Sequence, residues 1–431
     1  MKVITGFYYS LAFAIFFLLI LASANSQDIN YAKSITGALC SSRMQGRGYV
    51  RNGDFDAATL VKHEYKRIGL MPYTDDYFQP FKIRVNTFPG AMKLVINGKI
   101  LVPGRDYMID PASGKCKGKF DTYVIPVQTL AQDKADSITT LANGKVLIID
   151  ASWFHTLNDN EKARVNAYRR KLLSRNIAQV KAIIELTGEK LSFGISSVAC
   201  SIPYFRVNAA ACRDSISAVS INIRNQFLDQ YETRNVAGFI RGTICPDSML
   251  VFTAHYDHLG TMGRKTYFPG ANDNASGVSM LLAMADYYKA HPLRYSMVFL
   301  TFSGEELGLL GSGYFVDNPL VDLSKIKFLI NLDLVGNGAE GIMVVNGSVY
   351  PERFDTLTTI NDEEKLLPAI KKRGDACNSD HCSFFRKGVP CFFIYTLGGS
   401  AIHVLDDRPE SLTYDGFKGL TQLLSEFIKR I

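Results

Sequence analysis

The spacing of apolar residues changes along the chain. Ala57, Leu60, Val61, Tyr65 and Ile68 recur at helical intervals, which predicts an amphipathic helix. Asp54 or Asp56 is placed to cap its start and Gly69 to end it. Gln79-Pro80-Phe81 then leads into an extended stretch. From about Pro89 to Ser220 the texture is that of short strands, at 93–96, 145–149, 181–186 and 218–221, with turn pairs such as Asn97-Gly98 and Asn143-Gly144 between them. One basic helix, 160–174, interrupts this stretch; its Arg164, Arg169, Arg170 and Lys171 read as a solvated face. From Gln226 onward, strand-length apolar runs at 249–254, 296–302, 326–331 and 389–395 alternate with loops and helices. The helix predicted over 276–289 has Val278, Leu281, Leu282, Ala285 and Tyr288 on its apolar face. Strands alternating with helices predict an α/β fold on a mixed, largely parallel sheet flanked by helices. The expected organisation is one α/β body built from 27–88 and 223–431, with a β-rich insert over 89–222.

Residues 7–24 form one further apolar run, about the length of a signal core and slightly short for a membrane span. Lys2 precedes it, Ala22-Ser23-Ala24 and Ala24-Asn25-Ser26 are small-x-small cleavage signals, and the next cation is Lys33. Residues 1–26 therefore read as a cleavable signal peptide. The expectation is a periplasmic or secreted protein, with no lipobox cysteine and no stable membrane association after cleavage. The composition, 47% apolar and 21% charged over 431 residues, fits a globular protein with a large core. The net charge of +7 is spread along the chain, unlike the dense basic patch of a nucleic-acid binder. None of the eight cysteines sits in a CxxC, so a cysteine zinc site is not expected. Cys377 and Cys382, which flank Asn378-Ser379-Asp380-His381, are candidates for a bridge.

The candidate chemistry lies where the C-terminal runs end. His255-Tyr256-Asp257-His258 follows the first and Ser303-Gly304-Glu305-Glu306 the second. Asp333 follows the third, His403 lies a little beyond the fourth, and Asp273 precedes the 276–289 helix. Ligands of open α/β sheets bind at the carboxyl ends of the strands, so these groups are expected to meet. Two imidazoles and three carboxylates suit zinc, with cobalt or manganese as substitutes. A single catalytic zinc takes three protein ligands and a water, whereas five ligands suit two ions sharing a carboxylate. Asp273 takes the shared position, His255 and Asp333 complete one site, and Glu306 and His403 complete the other. Two such ions activate a water between them. Glu305 is the expected base, taking the proton of that water and passing it to the leaving amine. Asp257 is expected behind His255, accepting its second ring N–H.

These stretches resemble the M28 family of co-catalytic, aminopeptidase-type zinc peptidases. The resemblance rests on residues 254–260, 269–277 and 302–312, on Asn331-Leu332-Asp333, on Ser379-Asp380-His381 and on His403. It runs from about Val236 to the C-terminus, and Gly46-Arg47, the helix near Ala57 and the stretch 69–81 look like the family's N-terminal part. The β-rich segment sits where many relatives carry a protease-associated domain. The resemblance implies a mixed sheet flanked by helices, two zinc ions, and peptide or protein substrates with a free amino terminus. It implies the same five ligands, Glu305 as base, Asp257 behind His255, and Asp380 and His381 near the substrate pocket. In one position the sequence departs from the pattern. Relatives commonly carry tyrosine just before the last metal histidine, where it helps to stabilise the tetrahedral intermediate; here that residue is Ile402. Tyr395 is the substitute donor considered, and losing such a donor costs on the order of 100-fold in rate. Other readings stay open: a metal-dependent carboxypeptidase or amide deacylase of the same fold, or a non-catalytic binding protein with a relict metal site. Ile402 favours the last and the retained Glu305 opposes it. Glutaminyl cyclases of the family use a single zinc, against which the five ligands argue. The sequons at Asn274 and Asn346 are not expected to be glycosylated.

Overall fold

The computed structural model describes residues 28–131, 138, 140–174, 180–212, 215–399 and 402–431; the expected signal over 1–26 lies outside the described residues. A nine-stranded sheet has the order Met71–Pro72, Gln226–Ile240, Tyr295–Phe302, Cys245–His255, Ile326–Leu332, Cys391–Thr396, Ile342–Val345, Ile370–Lys372, with Phe78–Thr87 also paired to Gln226–Ile240. Tyr295–Phe302, Cys245–His255, Ile326–Leu332 and Cys391–Thr396 are mutually parallel, and the strands beside them on either side run antiparallel to them. This is the mixed α/β architecture expected, with its parallel part at the centre.

Central strands buried on both faces need apolar residues on both. In Cys245–His255, Leu250, Phe252 and Ala254 join one cluster with residues of helices Ile29–Leu39, Gly53–Ile68, Ser276–Ala290 and Phe417–Lys429. Met249 and Val251 point the other way, toward Phe315 and Phe384. The Ser276–Ala290 helix is buried at every position from Ser276 to Ala285. It is apolar over more of its surface than the predicted stripe because it lies between the sheet and the Ile29–Leu39 and Gly53–Ile68 helices.

Gly69 ends the Gly53–Ile68 helix in a left-handed conformation, but Asp54 does not cap it. Asn52 occupies the cap, and the buried Asp54 carboxylate accepts from Tyr231 at 2.5 Å and Thr233 at 2.9 Å. An eight-stranded second sheet has the order Lys99–Leu101, Met92–Ile96, Ala218–Ile223, Cys116–Pro126, Val146–Ala151, Ala182–Thr187, Tyr204–Asn208, Tyr107–Ile109. The Asp159–Ser174 helix buries Val165, Tyr168 and Leu172 beside it. The solvated basic face expected here does not include Arg169, whose side chain is 17% exposed and grips both oxygens of buried Glu185 at 2.8 Å. Phe78–Thr87 and Gln226–Ile240 form a long antiparallel ribbon leading from one sheet to the other. Among the described residues no helix is long and apolar enough to cross a membrane.

Candidate metal centre

Strand register brings the site together. His255 pairs with Phe302, Thr253 with Asn331, and Leu332 with Ile394. Parallel strands matched in this way end at one edge, so His255, the 303–306 turn, Asp333 and Tyr395 emerge side by side. Gly304, at φ 74°, makes the turn that carries Glu305 and Glu306. The Glu305 N–H then donates to Asp257 Oδ1 at 3.2 Å.

Asp273 is central. Its Oδ1 lies 3.4 Å from His255 Nε2 and its Oδ2 lies 3.1 Å from His403 Nε2. On one side, His255 Nε2 is also 3.4 Å from Asp333 Oδ1 and 4.0 Å from Glu305 Oε2. On the other, His403 Nε2 is 3.2 Å from Glu306 Oε2. The six residues expected around the ions therefore converge. Behind His255, Nδ1 is 3.2 Å from the Asp257 carbonyl and 3.7 Å from its carboxylate. The backbone oxygen is the nearer acceptor. Asp257 Oδ2 in turn accepts from Tyr49 at 3.0 Å. Asp333 Oδ2 accepts from Ser379 at 2.8 Å, and its buried Oδ1 has no hydrogen-bond partner.

The charges do not balance within the protein. Asp257, Asp273, Asp333, Asp380 and Asp407 are buried, the Glu306 side chain is buried, and the Glu305 side chain is 13% exposed. The nearby imidazoles are His255, His258 and His403. Burial pushes Glu305 well above the usual carboxylate range; His255 opposes the shift, and Asp380, Asp333 and Glu306 add to it. Glu306 moves down instead: His258 and His403 outweigh its burial. Burial works against protonated His255 and His403, but the facing carboxylates win. Glu305, Asp333 and Asp257 raise His255, and Asp273 and Glu306 lift His403 to about 11. Excess buried carboxylate is costly unless cations offset it. Together with the unpartnered Asp333 Oδ1 and a nitrogen–oxygen donor set, this suits a divalent metal. Two trios, His255–Glu305–Asp333 and His258–Asp273–Glu306, each bring ligand atoms within 4.8 Å of one another.

The surrounding cavity is about 250 Å³, with Leu334, Asn378, Phe393, Tyr395 and Ile402 in its wall. Tyr395 thus lines the cavity as expected of a pocket residue. Asp380 and His381 do not: both are buried behind the wall. The Cys377–Cys382 bridge and the His381–Phe385 helix turn them inward. His381 Nε2 meets the Ala376 carbonyl at 2.9 Å, and burial lowers its pKa to about 4. Burial raises Asp380 to about 7 against the pull of His255.

Several residues around the site carried no such role in the sequence reading. Arg47, fully buried, donates to the carbonyls of Leu39, Tyr256, Pro269, Gly270 and Asp273. Asp407 accepts from the amides of Asn272 at 2.7 Å and Asp273 at 3.1 Å. His258 Nδ1 lies 2.7 Å from Glu306 Oε1. Of the three, His258 left a visible signal, a second histidine three positions after His255.

Residues 235–428 match the family model described as Peptidase family M28. Aminopeptidase YwaD of Bacillus subtilis (strain 168) is 27% identical over 311 residues, 68% of this chain and 62% of the relative. A probable leucine aminopeptidase of Arthroderma otae is 29% identical over 181 residues, 39% of this chain and 48% of the relative. The chain thus spans less than two thirds of either curated relative. Among solved structures, BSAP, a zinc aminopeptidase from Bacillus subtilis, superposes with a TM-score of 0.68 at 19% identity, covering 94% of this chain and 96% of that one. A Peptidase M28 precursor from Shewanella amazonensis gives 0.64 at 16% identity, with 93% and 96% covered. At those identities the likeness is one of fold. Residues 235–428 of the chain are thus similar to peptidase family M28.

Proposed function

We propose that the protein is a zinc aminopeptidase that holds two zinc ions and hydrolyses the amino-terminal bond of peptides. The observation that carries this reading is the Asp273 carboxylate, one oxygen facing His255 and the other facing His403. His255, Asp273 and Asp333 would hold one ion, and Asp273, Glu306 and His403 the other. Zinc bound there supplies Lewis acidity, polarising the scissile carbonyl and acidifying water.

The protein's own groups do the rest. Glu305, whose mostly buried carboxyl holds a proton more tightly than an exposed one, takes the water proton and delivers it to the leaving amine. Asp257 keeps His255 oriented through Nδ1. Leu334, Phe393 and Ile402 offer an apolar wall to the side chain of the substrate's first residue. Tyr395, in the same wall, is the donor we assign to the developing oxyanion, since Ile402 cannot donate. The 89–222 segment is read as a protease-associated-like domain that restricts long chains. Export is supported by the 7–24 run and by the Cys377–Cys382 bridge, which suits an oxidising compartment.

The test incubates the zinc-loaded protein with leucyl-p-nitroanilide and with its N-acetylated analogue. Release from the free-amine substrate alone is expected. Nitroaniline release from the blocked analogue points to an amidase or carboxypeptidase that needs no free amine, and acetate release from it points to a deacylase. Turnover of neither, with zinc retained, points to a binding protein.

A further inference from the structure

We infer that the second-sheet segment is part of the metal centre, because its Phe193 fixes the loop that presents His403. The inference rests on the reading of His403 as a ligand. Phe193 is buried, and its backbone N–H donates to the His403 carbonyl at 3.0 Å. Its ring lies flat on Phe268, with centroids 4.7 Å apart and planes 15° apart, and meets Phe88 edge-on at 6.5 Å. Two residues beyond His403, Leu405 packs against the same cluster as Leu94, Tyr107 and Phe205 of the second sheet. Gly104 makes room for it: a Cβ there would stand 2.6 Å from Leu405 Cδ1. The far end of the loop is tied to the other body, where Asp407 accepts the Asn272 and Asp273 amides. The span from His403 to Asp407 is therefore held by the second sheet at its start and by the Asp273 loop at its end.

His403 depends on this support more than the other ligands do. Its side chain is 34% exposed, against 1% for His255, 6% for Asp273, 5% for Glu306 and 8% for Asp333. Its backbone is left-handed at φ 61°, a conformation a non-glycine residue keeps when its surroundings impose it. Phe193 bonds the carbonyl of that residue. His255 and Asp333 emerge from central strands of the first sheet and do not depend on the contact. Phe193 is thus a positioning residue for one half of the site, and a change that moves the Phe193 backbone moves His403.

The test is zinc titration of the metal-free protein against a chromophoric chelator. It compares the wild type, Phe193→Ala, His403→Ala and Val207→Ala. Val207 is a fully buried residue of the same cluster on the Tyr204–Asn208 strand. Phe193→Ala is expected to weaken the second zinc by about tenfold or more while the first stays within about threefold. Val207→Ala should lower the melting temperature yet leave both zinc affinities within about threefold. Wild-type affinities in Phe193→Ala, or equal loss of both zincs, overturn the inference. If His403→Ala loses the second zinc while Phe193→Ala binds like wild type, the inference alone falls. If His403→Ala itself binds two zincs normally, the ligand reading falls and this inference with it. Should Phe193→Ala show no cooperative unfolding, Leu405→Ala replaces it with the same expectations.

Discussion

Glu305 and Glu306 are neighbours in the chain with opposite electrostatics. Burial and nearby carboxylates drive Glu305 up, while His258 and His403 draw Glu306 down. A base must hold a proton in transit, whereas a metal ligand must shed one, so the pair divides the work. Glu305→Gln keeps the shape and removes the base. It should retain bound zinc while kcat drops about 100-fold or more; full activity in that variant contradicts the assignment. His381 makes a prediction about stability. Unfolded, its ring takes a proton below about 6.5; folded, only below about 4. Between those values the unfolded chain binds more protons, so the contribution is lost as pH falls through that window and is fully present above it. The full loss is roughly 3 kcal/mol. Urea unfolding at pH 7.5 and 4.5 should show a larger loss for the wild type than for His381→Asn, and equal losses contradict the account.

Among the elements, the disulfide loop links covalent structure to the site. It contains Ser379, which accepts from Asn331 at 2.8 Å and donates to Asp333 at 2.8 Å, while Thr253 donates to Asn331 at 2.6 Å. Replacing Cys377 and Cys382 by serine should lower stability by about 2 kcal/mol, from loop closure alone. It should also weaken zinc binding, because Asp333 loses its fixed partner. Unchanged urea midpoint and zinc affinity in the double variant would count against that link. The strand runs and the acids and imidazoles after them were legible in the sequence because strand length and strand-end chemistry are local signals. The roles of Arg47 and Asp407 were not, since they act on backbone carbonyls and amides of segments far away in the chain. Arg169 looked solvated because its partner Glu185 lies on another element. The motif around Asp380 and His381 records only that they lie near the pocket, while the bridge and the short helix decide which way their side chains turn.

At the scale of the molecule, two bodies meet at one centre rich in negative charge. Without cations, the carboxylates hold protons on His255 and His403, both raised above the ordinary histidine value. A metal taking those ring nitrogens must displace the protons, so zinc should bind more tightly as pH rises. Between pH 6 and 8 the apparent Kd should fall about tenfold per pH unit for each proton displaced. A flat profile in competition titrations contradicts the charge argument. The most direct measurement of the central claim is anomalous diffraction at the zinc edge from zinc-soaked crystals. The account predicts two peaks with Asp273 between them, one beside His255 and Asp333 and the other beside Glu306 and His403. A single peak, or peaks that leave Asp273 or His403 unliganded, would contradict it.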